Sequence, residues 1–184
     1  NVLRFDADGW FADNADGVGL VRDIELNAGV EFAGRNVLLL GAGGGASGAL
    51  GPVLQARPKR VQVVNRTLAK AEALVERHRS LALEMEVDLQ AAGLDDAGQG
   101  FDILINASAS SLSAVGVPLP GSVLRRGALA FDMMYGPAAQ GFLQWAAEHD
   151  ASGRDGLGML VEQAAESFQL WRGIRPATAP VLQA

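Results

Sequence analysis

The sequence predicts an α/β fold built on a doubly wound parallel sheet. Short apolar bursts alternate with helical stretches along the chain, as they must when parallel strands are joined by helical crossovers. A glycine-rich turn, Gly41-Ala42-Gly43-Gly44-Gly45-Ala46, links one such burst to the helix after it. With 184 residues, 49% hydrophobic and 20% charged, the chain has material for one substantial domain and an appendage.

The elements follow in order. Residues 2–5 and 10–13 flank the turn-forming Asp6-Ala7-Asp8-Gly9 and read as a hairpin, which cannot stand alone in water. From Asp16 the spacing of Val18, Val21, Ile24 and Leu26 is helical, with Gly29 as the stop. Next come a strand at 36–40, a helix at 44–55, a strand at 61–65 and a helix at 68–79, then a weaker strand at 83–87. Strands at 102–106 and 128–133, a helix near 138–148 and a last helix over 156–171 complete the series. In that last helix Leu157, Leu160, Val161, Ala164, Phe168 and Trp171 fall at helical spacing, a stripe expected to face the core.

Composition excludes several functions. Fifteen basic against 21 acidic residues give a net charge of -6, which argues against sequence-independent binding of nucleic acid or an anionic membrane. The absence of cysteine removes disulfides, thiolate nucleophiles and Cys-based zinc sites. His78 and His149 are 71 positions apart beside charged neighbours. They read as surface or helix-terminal residues, and no metal is expected. No run of 18 apolar residues and no signal-peptide pattern occurs, so a cytoplasmic location is expected. The first residue is Asn1 and not Met, from which further sequence upstream is expected. A homodimer is left open.

The glycine turn opens a helix directly after the strand Asn36-Val37-Leu38-Leu39-Leu40. Strand, tight turn and helix are the surroundings in which backbone amides and a helix N-terminus receive a pyrophosphate, as in a Rossmann-type fold. Glycines chosen only for turn geometry are the alternative. Dinucleotide folds that prefer NAD place an acid at the end of the second strand for the adenosine ribose. Here no acid occurs between Val61 and Lys70; Asn65-Arg66-Thr67 and Lys70 stand there instead. Two cations at a helix N-terminus that Thr67 can cap oppose the helix dipole. The 2'-phosphate of NADP would resolve that conflict, with a forked contact from Arg66. A solvated basic turn is the alternative.

Six segments in order resemble the shikimate dehydrogenase family: Asn14-Ala15-Asp16-Gly17-Val18-Gly19, the loop 41–46, Asn65-Arg66-Thr67, Asn106-Ala107-Ser108, Asp132-Met133-Met134-Tyr135 with Pro137, and the stretch 155–164 containing Asp155-Gly156 and Gln163. The resemblance implies NADP-dependent, reversible reduction of 3-dehydroshikimate to shikimate in aromatic amino-acid biosynthesis. It implies that Asp16 is the catalytic aspartate, acting with a lysine, and that Asn1, Asp16, Tyr135 and Gln163 contact the substrate. It assigns the cofactor to Gly41, Ala42, Gly43, Gly44, Gly45, Asn65, Arg66, Thr67, Lys70, Asn106, Ser108, Met133 and Gly156. Without the resemblance, Asp16 reads as a helix N-cap. Gly156 and Gln163 are seven apart, so they share a helix face about 10 Å apart along the axis.

The pattern departs in three places. Ala15 stands where the family commonly has Thr, and Ser110-Ser111 replaces a glycine-containing turn. The only lysines are Lys59 and Lys70; neither corresponds to the family's catalytic lysine, which its N-terminal substrate domain supplies. The expected organisation is therefore a remnant of the substrate domain at 1–15, an NADP-binding domain at 16–155 and a helix and tail at 156–184 returning toward the substrate cleft. Such a chain is expected to bind NADP and to turn over shikimate poorly by itself. The competing readings are a quinate/shikimate dehydrogenase using NAD, a glutamyl-tRNA reductase, which lacks the segment at 155–164, and a non-catalytic NADP-binding module.

Overall fold

In the computed structural model, which describes residues 1–108 and 117–183, the chain opens in an antiparallel hairpin, β1 (Val2–Asp6) and β2 (Gly9–Asp13), that forms a sheet of its own. It is tied down at its back, where the Trp171 indole donates to the Leu3 carbonyl at 3.0 Å and the Arg4 guanidinium donates to the Leu170 carbonyl at 2.8 Å. A short helix α1 (Asp16–Arg22) follows and continues into a π-helical turn, Asp23–Asn27. Gly29, in the left-handed region at φ +69, ends it.

Six parallel strands make the main sheet: β3 (Asn36–Leu40), β4 (Arg60–Val64), β5 (Asp88–Ala92), β6 (Phe101–Asn106), β7 (Leu124–Asp132) and β8 (Ser152–Arg154). Their spatial order is β5-β4-β3-β6-β7-β8, so the direction of winding reverses between β3 and β6, where ligands sit in this architecture. Connecting helices are α2 (Gly44–Gln55), α3 (Leu68–Glu84) and α4 (Gln140–Glu148), with α5 (Leu157–Arg172) and the short α6 (Ala179–Leu182) closing the chain. Apolar runs without alternation put side chains on both faces of the sheet. Val37 and Leu39 join Leu20, Leu50, Leu74 and Phe131 in one core, while Leu38 and Leu40 join Phe101, Leu104 and Phe142 in the other. Among the described residues no helix is long and apolar enough to cross a membrane.

Three expectations need correction. The strand placed at 83–87 lies at Asp88–Ala92, because Ala71, Leu74, Val75 and Ala82 carry the buried helical spacing of α3 on to Glu84. The chain reverses only at Glu86, with φ +60. The stripe on the last helix does not face the core: Leu157, Leu160, Phe168 and Trp171 are exposed, and the buried face is Gly158, Met159, Glu162 and Ala165. Helical spacing identifies an apolar face without saying what covers it. Thr67 holds the N-cap position of α3, but its hydroxyl makes no capping bond; the Asn65 amide donates to the Thr67 carbonyl at 2.9 Å instead. The three-residue β8 was not anticipated, since Ser152-Gly153-Arg154 carries no strand signature. Ser110 and Ser111 lie outside the described residues.

Candidate active site

The carboxyl ends of β3, β4, β6 and β7 converge on the glycine loop. At Gly41 the backbone takes φ +113, and its amide donates to the Val64 carbonyl at 2.7 Å, so the loop leaves β3 pressed against the end of β4. A Cβ on Gly41 would stand 2.9 Å from the Ala107 carbonyl oxygen, and one on Gly45 would stand 3.3 Å from the Met133 methyl. The fold itself therefore demands glycine at Gly41, whereas a side chain at Gly45 would need only a small shift of the Met133 methyl. Gly43 and Gly44 differ, because a Cβ there would meet nothing within 4 Å. Gly43 caps α2 without a side-chain bond, and no acid lies in that helix's first turn. Open space over unmatched helix N-terminal amides is a cradle for an anionic group.

Beside it, Arg66 and Lys70 are exposed at the start of α3, whose first turn also lacks an acid. Neither has an ion-pair or hydrogen-bonding side-chain partner among the described residues. On the other side the paired ends of β6 and β7 bring Asn106 opposite Asp132, with the Asn106 amide donating to Asp132 Oδ1 at 3.2 Å. Asn106 Oδ1 accepts from the Ser108 amide and hydroxyl at 3.1 and 2.7 Å, and Asp132 Oδ1 accepts from the Met134 amide at 3.1 Å. These two buried side chains shape the loops that carry Ser108, Met133 and Tyr135.

Those loops, α1 and α5 enclose a cleft of about 270 Å³. Asp16, Gly45, Ser108, Met133, Tyr135, Gly156 and Gln163 all line it, joined by Ala107, Met134, Met159 and Leu160. Asp16 lies in the first turn of α1, not at its N-cap, which is the buried Ala15. The Asn1 side chain holds it there: its amide donates to Asp16 Oδ1 while its carbonyl accepts from the Ala15 amide at 2.9 Å. Asn1 is thus brought to Asp16, though it does not line the cleft itself. The cap of α5 presses equally close, since a Cβ on Gly156 would stand 2.5 Å from the Met133 carbonyl oxygen. Asp155 fixes that approach by accepting from the Gly136 amide at 3.1 Å and the Leu157 amide at 3.2 Å.

Gly41, Ala42, Gly43, Gly44, Asn65, Arg66, Thr67, Lys70 and Asn106 stand along the same sheet edge outside the cleft lining. Lys59 is exposed just before β4, at the opposite end of the strands. Among the described residues no group of three His, Asp or Glu could hold a metal ion. Sequence reasoning missed Leu160 as a lining residue because it assigned that residue to the core stripe of α5, and it gave Met159 no role. The signal available was their position within the same two turns as Gly156 and Gln163.

Comparison with known proteins matches residues 24–123 to the family described as shikimate / quinate 5-dehydrogenase, and residues 156–184 to the shikimate 5'-dehydrogenase C-terminal domain. A shikimate dehydrogenase (NADP(+)) of Methylibium petroleiphilum is 62% identical over 182 residues, covering 99% of this chain and 62% of the relative. Its counterpart from Acidovorax ebreus is 60% identical, covering 100% of this chain and 65% of the relative. The chain thus spans somewhat under two thirds of the length of these curated relatives. Among solved structures, an Ael1 enzyme from Pseudomonas putida superposes with a TM-score of 0.86 at 46% identity, covering 98% of this chain and 65% of that one. Shikimate 5-dehydrogenase from Thermus thermophilus, in complex with NADP(H) and shikimate, superposes with a TM-score of 0.78 at 29% identity over the same shares.

Proposed function

The chain belongs to the shikimate dehydrogenase family, and we propose that it forms the NADP-binding part of an enzyme interconverting 3-dehydroshikimate and shikimate. The observation that carries the cofactor is the pairing of an uncovered glycine cradle at Gly43 and Gly44 with two unpartnered cations, Arg66 and Lys70, one strand away. The cradle suits a pyrophosphate. The cations suit a 2'-phosphate and leave no carboxylate to receive an unphosphorylated ribose. NADPH, when bound, supplies the hydride for the ketone.

The remaining residues bind, orient and exclude water. Met133, Met159 and Leu160 give the cleft an apolar wall, which strengthens the polar contacts made within it. Gln163 and Tyr135 offer an amide and a phenol to the hydroxyl groups of a polyol acid. Asp16, oriented by Asn1, accepts a hydrogen bond from the reacting hydroxyl and takes part in the proton transfer that hydride chemistry requires at that oxygen. Neither lysine of this chain lines the cleft, so the lysine partner that the family resemblance implies belongs to the substrate-binding part of the relatives' length that this chain does not span. The exposed stripe on α5, together with Leu3, Phe5 and Trp10 on the hairpin, is the surface we assign to that substrate-binding part. The partners are small molecules, without nucleic acid or membrane, in the cytoplasm. Titration of the chain with NADPH and NADH tests this reading. Preferential binding of NADPH is expected, and equal affinity would overturn the cofactor assignment.

A further inference from the structure

Asp23 is fully buried, although carboxylates almost never are unless paired. It stands where α1 passes into the π-turn, a local distortion frequent at functional sites. Arg154 on β8 grips it with both Nε, at 2.9 Å, and Nη2, while the Asn27 amide donates to Oδ1 at 2.9 Å. The carboxylate occupies the space that a side chain on Gly158 of α5 would need; a Cβ there would overlap Asp23 Oδ1. Four residues earlier on α1, Gly19 meets α5 again, where a Cβ would stand 2.8 Å from the Gln163 Cβ and from the Met159 carbonyl oxygen. The two helices therefore run antiparallel, with Gly19 set against Gln163 and Asp23 against Gly158. Glu162, beside Gln163, extends the clamp by accepting from Arg22 at 3.0 Å and Arg175 at 2.9 Å.

A buried ion pair adds little net stability compared with apolar packing, but it can specify one arrangement over its neighbours. Here the arrangement specified is the register of α1, which carries Asp16, against α5, which carries Gln163 and is capped by Gly156. We propose that Asp23 is a positioning residue for the cleft: clamped by Arg154 and seated in the gap at Gly158, it fixes Gly156 and Gln163 relative to Asp16. This rests on the functional reading above for the meaning of the cleft, but not for the clamp itself.

The test compares Asp23→Asn with Asp102→Asn in this chain. Asp102 is a second largely buried carboxylate, bonded to Arg125 at 3.0 Å and to the Asn36 amide at 2.8 Å, and it does not line the cleft. Both variants are expected to melt at lower temperature. Only Asp23→Asn is expected to move the amide resonances of Gly156 and Gln163 and to weaken NADPH binding about tenfold, less than the roughly 100-fold that a displacement of about 1 Å can cost at a preorganised site. Unmoved resonances with NADPH affinity within about twofold of the parent, or an equal effect of Asp102→Asn, would overturn the proposal. Should Asp23→Asn fail to fold, Asn27→Ala removes one bond from the carboxylate, keeps the ion pair, and must move the same resonances. If the parent chain does not bind NADPH, the functional reading fails, while the Gly156 and Gln163 resonances still decide this one.

Discussion

Replacing Arg66 with Gln should change stability and binding in opposite directions. Arg66 is exposed at the N-terminal end of α3, without an ion pair among the described residues, beside a first turn that lacks acids. A cation in that place opposes the helix dipole by about 0.3–1 kcal/mol, discounted toward the lower end by solvent. The free protein should therefore melt at the same temperature or slightly higher. A charge-assisted hydrogen bond to a phosphate contributes about 1.5–3 kcal/mol, which corresponds to roughly a 10- to 150-fold loss of NADPH affinity. NADH, lacking that phosphate, should bind the variant as it binds the parent. Calorimetric titration with both nucleotides, alongside thermal melts, reads all three quantities. Parallel losses for NADPH and NADH, or NADPH binding unchanged, would refute the reasoning.

Gly44→Ala should leave stability unchanged or raise it by about 0.5 kcal/mol, since it is the first residue of α2 and its open surroundings accept a methyl group, yet it should weaken NADPH binding. Gly41→Ala should cost more than about 1 kcal/mol in urea unfolding, because φ +113 and the nearby Ala107 carbonyl oppose it. Gln163→Ala should weaken shikimate binding more than NADP binding in the whole enzyme; an unchanged Michaelis constant for shikimate would count against that role. For Glu162, burial pushes the carboxyl pKa up, but hydrogen bonds from Thr178, Arg22, Arg175 and Asn27 outweigh it and hold the group below its ordinary value of about 4.5. The stabilisation is thus present above that value and lost as pH falls through the lower, folded-state pKa. Glu162→Gln should flatten the loss of melting temperature on the acid side.

The strand–turn–helix around Gly41 was legible because its requirements are local: a left-handed backbone and amides facing an opening are written in four glycines. The basic pair at the start of α3 was legible for the same reason, since Arg66 and Lys70 lie about one turn apart. Tertiary partners were not. Asp23 sits in an apolar helical stretch where nothing local marks it for burial, and its partner Arg154 lies 131 positions away. The stripe on α5 had the right spacing for burial, but Gly19 and Asp23 of α1 select the opposite face, where Gly158 leaves room. Asp16 illustrates a third case, a carboxylate whose orientation depends on Asn1, fifteen residues before it.

The central claim is that the switch point between β3 and β6 holds an NADP-type dinucleotide with its reacting end in the cleft of Asp16 and Gln163. A crystal structure of the chain grown with NADP and shikimate tests it directly. The pyrophosphate is expected on the amides at Gly43 to Gly45, the 2'-phosphate at Arg66 and Lys70, and the nicotinamide between Met133 and Gly156. A dinucleotide bound elsewhere, or one whose nicotinamide turns away from Asp16 and Gln163, would contradict it.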